Sequence, residues 1–247
     1  MRRKALIIEA SKAEIQNDLP GARVDAERFS EFLLSDFGGA WDPPEITVMH
    51  TPNAAEVMQA KREMRAADYA FVAFSGHGYH VRGGGVDDTK ICLRNGDEID
   101  VLELNPATDR CFIIIDACRS LVHEEVEKGA RLKKGAFMVE DMSRRYRFRQ
   151  LFDQYVKVAE KGAIYAYACD VTESAQESKQ GGYFSRALVE CSDGWASNKP
   201  GTLDSVYDVN SAFSCAKISV NRKAPQQNPQ FQPGRRHKFF PFAVWAL

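Results

Sequence analysis

Cys111-Phe112-Ile113-Ile114-Ile115-Asp116-Ala117-Cys118-Arg119-Ser120 is an apolar run that stops abruptly on a carboxylate, a small residue and a thiol. The run is too short for a helix, and it lacks the alternation of a strand with one wet face. Its isoleucines favour extended chain, so it reads as a strand buried on both sides. Such strands belong to parallel sheets covered by helices, where reactive groups gather beyond the carboxyl ends. The same design occurs upstream, where Tyr69-Ala70-Phe71-Val72-Ala73-Phe74 runs into Ser75-Gly76-His77-Gly78.

Working outward, Ala5–Ile8, Ile46–Met49 and Gly162–Ala168 are further strands. Helical spacing covers 25–37, 54–67, 145–161 and 184–191, and a last helix is expected over Leu203–Val220. Tyr79–Thr89, with Gly83-Gly84-Gly85, and the charged stretch His123–Lys134 read as loops. Ala224–Pro233, rich in Gln, Pro and Asn, reads as surface chain before a final apolar strand within Phe239–Leu247. The alternation of strand and helix indicates an α/β fold around a mostly parallel sheet.

With 247 residues, 44% hydrophobic and 27% charged, the chain has the makings of one large globular domain. A net charge of -1, from 33 basic against 34 acidic residues, gives no electrostatic case for nucleic acid or an anionic membrane as partner. Met1-Arg2-Arg3-Lys4 could open a signal peptide, but Glu9 breaks the apolar run behind it, and no segment approaches membrane-spanning length. A soluble, cytoplasmic protein is expected. Cys92, Cys111, Cys118, Cys169, Cys191 and Cys215 form no C-x-x-C pair, so a zinc site is disfavoured. All but Cys118 are expected to be reduced and structural, since disulfides are rare in cytosolic chains.

His77 and Cys118 each follow a buried strand, and neighbouring parallel strands would bring them face to face. A thiol needs a base to become the attacking thiolate, and imidazole can take that proton and later give it to a leaving amine. The glycines flanking His77 allow close approach of a substrate backbone. The N–H groups of Gly78 and Cys118 are natural oxyanion donors, each worth about 3–4 kcal/mol in related acyl transfer. Either residue alone would read as an ordinary core cysteine or turn histidine; the pairing at matching strand ends points to nucleophilic catalysis.

Ser75-Gly76-His77-Gly78 together with Asp116-Ala117-Cys118-Arg119-Ser120 resembles the peptidases of the caspase, metacaspase and paracaspase clan. The resemblance extends along the chain: Leu19–Ala26 is similar to the L-x-G-C-x-N-D-A segment of metacaspases. Glu173–Glu177 with Gly181–Ser185, and Gln227–Phe231, are similar to later family blocks. It implies the caspase-haemoglobinase fold, a three-layer αβα sandwich around a mostly parallel six-stranded sheet. It further implies one peptidase domain over 1–247, with a p20-like segment over 1–122, a linker loop over 123–144 and a p10-like segment over 145–247. By the same resemblance His77 and Cys118 form the catalytic dyad, and no cofactor is required.

Animal caspases carry Q-A-C-R-G and receive Asp at the P1 position; here Asp116 stands in place of that Gln. The resemblance to metacaspases makes Asp25 and Asp116 the floor of the P1 pocket, which implies a protein substrate with Arg or Lys at P1. The plainer readings are a first-turn helix aspartate for Asp25 and a turn cap for Asp116. Cys169 and Asp170 would line the substrate groove. His80 has no third metal ligand beside it, and no metal site is assigned. Asp87-Asp88 falls where some metacaspases are acidic, which leaves calcium as a candidate activator. Lys128–Lys134 offers basic cleavage sites for self-processing at Arg131, Lys133 or Lys134, or is a solvated charge run. A separate activating protein is a candidate partner, and the resemblance, since some compact bacterial relatives are anti-phage effectors, makes an effector role in bacterial defence or regulated cell death an expectation. The competing readings are an Asp-specific protease and a silent caspase-like scaffold, the latter typically lacking the His or Cys kept here.

Overall fold

The computed structural model describes residues 1–12, 18–81, 88–119, 142–198 and 203–247. The sequence-predicted loop glycines 83–85, Asp87, the whole Lys128–Lys134 stretch and most of the 123–144 linker lie outside them. Along the chain run β1 (Arg3–Ala10), α1 (Pro20–Leu34), β2 (Ile46–His50), α2 (Ala54–Glu63) and β3 (Tyr69–Gly76). Next come β4 (Gly78–His80), β5 (Thr89–Cys92), β6 (Glu98–Asp100), β7 (Arg110–Asp116), α3 (Met142–Val158) and β8 (Gly162–Tyr167). The chain continues through β9 (Glu177–Ser178), β10 (Gly181–Gly182), α4 (Tyr183–Ser197), β11 (Ser205–Asp208), α5 (Val209–Lys223), β12 (Gln230–Gln232) and β13 (Pro241–Trp245).

Six strands form the central sheet in the order β12-β8-β7-β3-β1-β2, parallel except for β12, as the sequence led us to expect. Successive residues of a strand point to opposite faces. Ala5 and Ile7 of β1, with Phe71, Ala73, Phe112 and Ile114, therefore pack under α1, α3, α4 and α5. Leu6 and Ile8, with Val72, Phe74, Ile113 and Ile115, face α2 and the β4-β5-β6 sheet. Each fully buried Ile or Phe contributes about 1.5–3 kcal/mol, so the two-faced core is the main force holding the sheet in place. The result is three layers of unequal weight.

Local chemistry sets the element ends. Asn53 accepts from the Glu56 N–H at 2.9 Å while the Glu56 carboxylate accepts from the Asn53 N–H at 2.8 Å, a reciprocal cap that starts α2. Asp208 accepts from the Ser211 N–H at 2.7 Å and starts α5. That cap explains one departure from expectation: the helix expected from Leu203 begins only at Val209, and Ser205–Asp208 pairs instead with the final strand β13. A second departure is the Gln- and Pro-rich tail, which supplies β12, the antiparallel edge of the central sheet. Tyr79, His80 and Thr89, read as loop, belong to β4 and β5.

The cysteine expectation also needs correction. Cys191 of α4 and Cys215 of α5 are disulfide-bonded, with Cα atoms 6.1 Å apart. The physical reason is the close packing of those two helices, which no spacing along the chain reveals. Among the described residues, no helix is long and apolar enough to cross a membrane.

Candidate active site

β3 and β7 are parallel neighbours with Ser75 opposite Asp116. Two residues further along each chain, just past the strand ends, stand His77 and Cys118, so the register brings both to the same carboxyl edge of the sheet. Gly78 shows how tightly the two ends meet. A methyl group there would lie 2.8 Å from the Lys90 carbonyl oxygen, 3.0 Å from the Ala117 Cβ and 3.1 Å from the Cys118 carbonyl oxygen. Only glycine fits, and its backbone is thereby held against the Ala117-Cys118 chain. The Cys92 N–H donates to the His77 carbonyl at 2.9 Å, fixing the turn from the other side.

The Cys118 thiol is half-buried and points its Sγ at the Ala175 carbonyl, 3.7 Å away. Burial pushes this thiol up, and the carboxylates of Asp116 and Glu177 push in the same direction. At neutral pH it is therefore a thiol that needs a base. Beneath it Arg119 is buried, with Nε donating to Thr89 Oγ1 at 3.0 Å and the guanidinium 4.3 Å above the Tyr167 ring. Its backbone pairs both ways with the next loop, through Arg119 N to Glu173 O at 2.9 Å and Thr172 N to Arg119 O at 3.0 Å. Arg119 thus staples the Cys118 loop to the segment that follows β8, a role that its place in the motif does not disclose.

Beside the thiol lies a cluster of acids. Asp25 is in the interior of α1, on the stripe that includes Ala22, Ala26 and Phe29, and not in the first turn. It is wholly buried. Its Oδ2 accepts from Ser75 Oγ at 2.9 Å and from the Gly182 N–H at 2.8 Å, and its Oδ1 accepts from Arg28 Nη1 at 2.7 Å. Asp116, 5% exposed at the end of β7, accepts the Ser185 N–H at 2.9 Å on Oδ2. Burial raises both acids, and repulsion from Asp116 raises Asp25 further; the Gly182 N–H, Arg28 and Ser75 oppose the rise at Asp25. A methyl at Gly181 would overlap Asp25 Oδ1, and one at Gly182 would overlap Asp116 Oδ2. The β9–β10 hairpin can therefore be laid on the two carboxylates only by glycine, and Gly181 also needs its positive φ of 100°.

Glu177 completes the cluster and is the acid that residue-by-residue sequence reading missed. It is half-buried on β9 beside Gly21, and burial together with repulsion from Asp116 pushes it up to about 7. The signal lay in the Glu173–Glu177 block, but only folding brings that block against α1.

The expected groove residues separate. Cys169 is wholly buried, with Sγ 3.4 Å from the carbonyls of Ala117 and Glu173, so it supports the Cys118 loop and presents no surface. Asp170 is exposed and accepts the Val171 N–H at 2.7 Å. Gln227, 1% exposed, clamps the same segment by accepting from Gln176 N at 3.0 Å and donating to Ala168 O at 2.9 Å. Asn228 adds two bonds to the Glu173 carboxylate, at 2.6 and 2.7 Å. His80 lies 3.4 Å from Thr89 Oγ1, and among the described residues no three His, Cys, Asp or Glu gather as metal ligands.

Comparison with known proteins follows the same lines. The family model for the caspase domain matches residues 2–240. The crystal structure of caspase-1 from Spodoptera frugiperda superposes with a TM-score of 0.58 at 17% identity, covering 95% of this chain and 88% of that one. At that identity the likeness is one of fold. No curated protein sequence matches.

Proposed function

The chain belongs to the caspase-domain (C14) family of cysteine peptidases, and from that premise we propose that it is an endopeptidase cutting after Arg or Lys through Cys118 and His77. The observation that carries the basic preference is the gathering of Asp25, Asp116 and Glu177 at one edge of the sheet beside the thiol. A P1 carboxylate brought there would meet three acids. A P1 guanidinium or ammonium would gain charge-assisted hydrogen bonds worth about 1.5–3 kcal/mol each.

In this reading His77 takes the Cys118 proton and the thiolate attacks the scissile carbonyl carbon. The negative charge that develops on oxygen is met by the N–H groups of Gly78 and Cys118. His77 then protonates the leaving amine, which departs and leaves a thioester on Cys118. Water, deprotonated by His77, attacks the thioester, releasing the new carboxyl terminus and restoring the thiol. The raised thiol makes the base indispensable, because little thiolate exists before substrate arrives.

The test is hydrolysis of peptide reporters bearing Arg, Lys or Asp at P1, by wild type and Cys118→Ala, with and without calcium. Cleavage after Arg or Lys that disappears in the variant is the expected result. Cleavage after Asp alone would overturn the basic preference, and unchanged cleavage by Cys118→Ala would overturn the nucleophile.

A further inference from the structure

Arg28 is the cation that the acidic cluster already contains. It lies one helical turn after Asp25 on α1 and bonds Asp25 Oδ1 at 2.7 Å through Nη1, while Nη2 donates to the Gln180 carbonyl of the β9–β10 hairpin. An exposed pair of this spacing on a helix would contribute a few tenths of a kcal/mol and carry no further meaning. This pair differs in its setting. The Asp25 side chain is 0% exposed and that of Arg28 only 16%. Beyond Asp25 lies Asp116, so one guanidinium serves two buried carboxyl groups.

We propose that Arg28 is the positioning residue of the P1 pocket: its fixed positive charge lets Asp25 and Asp116 stand together as carboxylates, ready for the substrate cation. The inference rests on the basic-P1 reading above and adds to it the residue that makes such a pocket workable at neutral pH. Two buried carboxyl groups side by side otherwise share a proton, and a protonated pair has lost one of its charges for a guanidinium. The directions agree: Arg28 opposes the rise of both Asp25 and Asp116. The charged and titratable groups around the pair are Arg28 on its own helix, His77 beyond β3, Cys118 beyond β7, Cys169 beyond β8 and Glu177 on β9. Of these Arg28 alone carries a positive charge that does not titrate over this pH range, and its second bond holds the hairpin whose Gly182 N–H also serves Asp25. The consequence is counter-intuitive. Removing a positive charge from this pocket weakens its grip on a positive substrate.

The experiment follows KM and kcat of a P1-Arg reporter from pH 5.5 to 8.5 for wild type, Arg28→Gln and Arg28→Lys. Proton and substrate cation compete for the same carboxylates, so in wild type KM falls as pH rises. For Arg28→Gln that fall moves to higher pH, raising KM about tenfold at pH 7 and recovering toward wild type by pH 8.5, with kcat changed less than threefold. Arg28→Lys keeps the charge and its profile stays near the wild-type pH even though the bond to Gln180 is lost. A merely structural role would lower kcat with KM and would not recover at high pH. The proposal is overturned if Arg28→Gln leaves the KM profile in place or lowers KM, the latter meaning that Arg28 competes with substrate. It is equally overturned if Arg28→Lys shifts the profile as far as Gln does; that arm still decides the matter should Arg28→Gln fail to fold. Absence of any wild-type cleavage after Arg or Lys would sink the basic-P1 reading itself, a different failure.

Discussion

The central sheet has a buried charge cluster at each end of its strands, and the two are built on opposite plans. At the amino end, Arg3 has a side chain with no exposure, donates to Gly39 O at 2.8 Å and lies 3.4 Å from Glu45 and 3.5 Å from Asp153. Arg149 bonds Glu45 at 2.6 and 2.8 Å and pairs with Asp42 at 3.2 Å, and the Arg3 guanidinium lies 4.6 Å from the Trp41 ring centre. The Met1 amino group, 3.7 Å from Asp153, brings these cations to three against three acids. Burial lowers Arg3 to about 10, which still leaves it charged, and Glu45 stays below its usual range because Arg149 and Arg3 outweigh its burial. At the carboxyl end, Asp25 and Asp116 share Arg28, Glu177 stands beside them with no cation of its own among the groups that act on it, and all three acids are raised. A cluster that only has to hold the fold balances its charges. A cluster left in acid excess is unfavourable by itself and becomes favourable when a cation arrives.

The largest effect that could break this contrast is expected at the balanced end. Arg3→Met strips the Gly39 and Ala40 carbonyls and the Asp153 carboxylate of a wholly buried donor, while Glu45 keeps Arg149, and should destabilise the fold by about 3–5 kcal/mol, read from urea unfolding. The KM of a P1-Arg reporter should stay within twofold, because the substitution lies at the far end of the strands. A stability loss below 1 kcal/mol, or a KM that moves with it, would mean that the two ends are not separate in kind.

Asp116→Asn probes the other end and should invert the pattern. Loss of one charge-assisted bond predicts a fall in kcat/KM for P1-Arg substrates of about 100-fold. Stability should not fall at pH 8. A carboxyl whose folded pKa is raised stabilises the fold below its unfolded pKa, and that contribution is lost as pH rises through the folded value. At pH 8, far above its unfolded pKa, the raised Asp116 carboxyl is therefore a cost, which a neutral amide still able to accept the Ser185 N–H removes. A midpoint lower than wild type at pH 8 would show that the acid excess is not a source of strain.

How much of this contrast could be read in the sequence differs from region to region. The apolar runs 69–74 and 111–115 announced two buried parallel strands, and the residues just past them, His77 and Cys118, could be paired because strand direction is set by the fold class. Asp25 was legible only through resemblance to metacaspases, since nothing in helical spacing shows that α1 turns its Asp25 toward the end of β7. Glu177, Arg28 and the Gln227 clamp depend on contacts between segments far apart in the chain, and periodicity carries no information about those. The same holds for the Cys191–Cys215 bond, made by the packing of α4 on α5. β11 and β12 were missed for a local reason: short strands at sheet edges are half polar, and Ser205–Asp208 and Gln230–Gln232 lack the continuous apolar run that marked the others.

The smallest effect sharpens the comparison most, because it separates excess charge from mere burial. Glu177 is the raised acid that remains partly open to solvent, pushed to about 7 by burial first and by Asp116 second. Its neutral form is favoured in the fold, so its contribution to stability is complete below about pH 4.5 and is lost as pH climbs through about 7. Solvent screening at a half-buried site limits the size to about 1 kcal/mol. Glu177→Gln should therefore leave the unfolding free energy at pH 5 unchanged and raise it by about that amount at pH 8. The substrate should respond in the opposite sense over the same window: KM for a P1-Arg reporter rises about threefold at pH 8, where the lost group was a carboxylate, and does not change at pH 5, where it was already neutral. Stability gained and affinity lost at one pH, with neither at the other, would mark Glu177 as excess charge kept for a cation. A variant that moves stability equally at both pH values would show that only its packing matters.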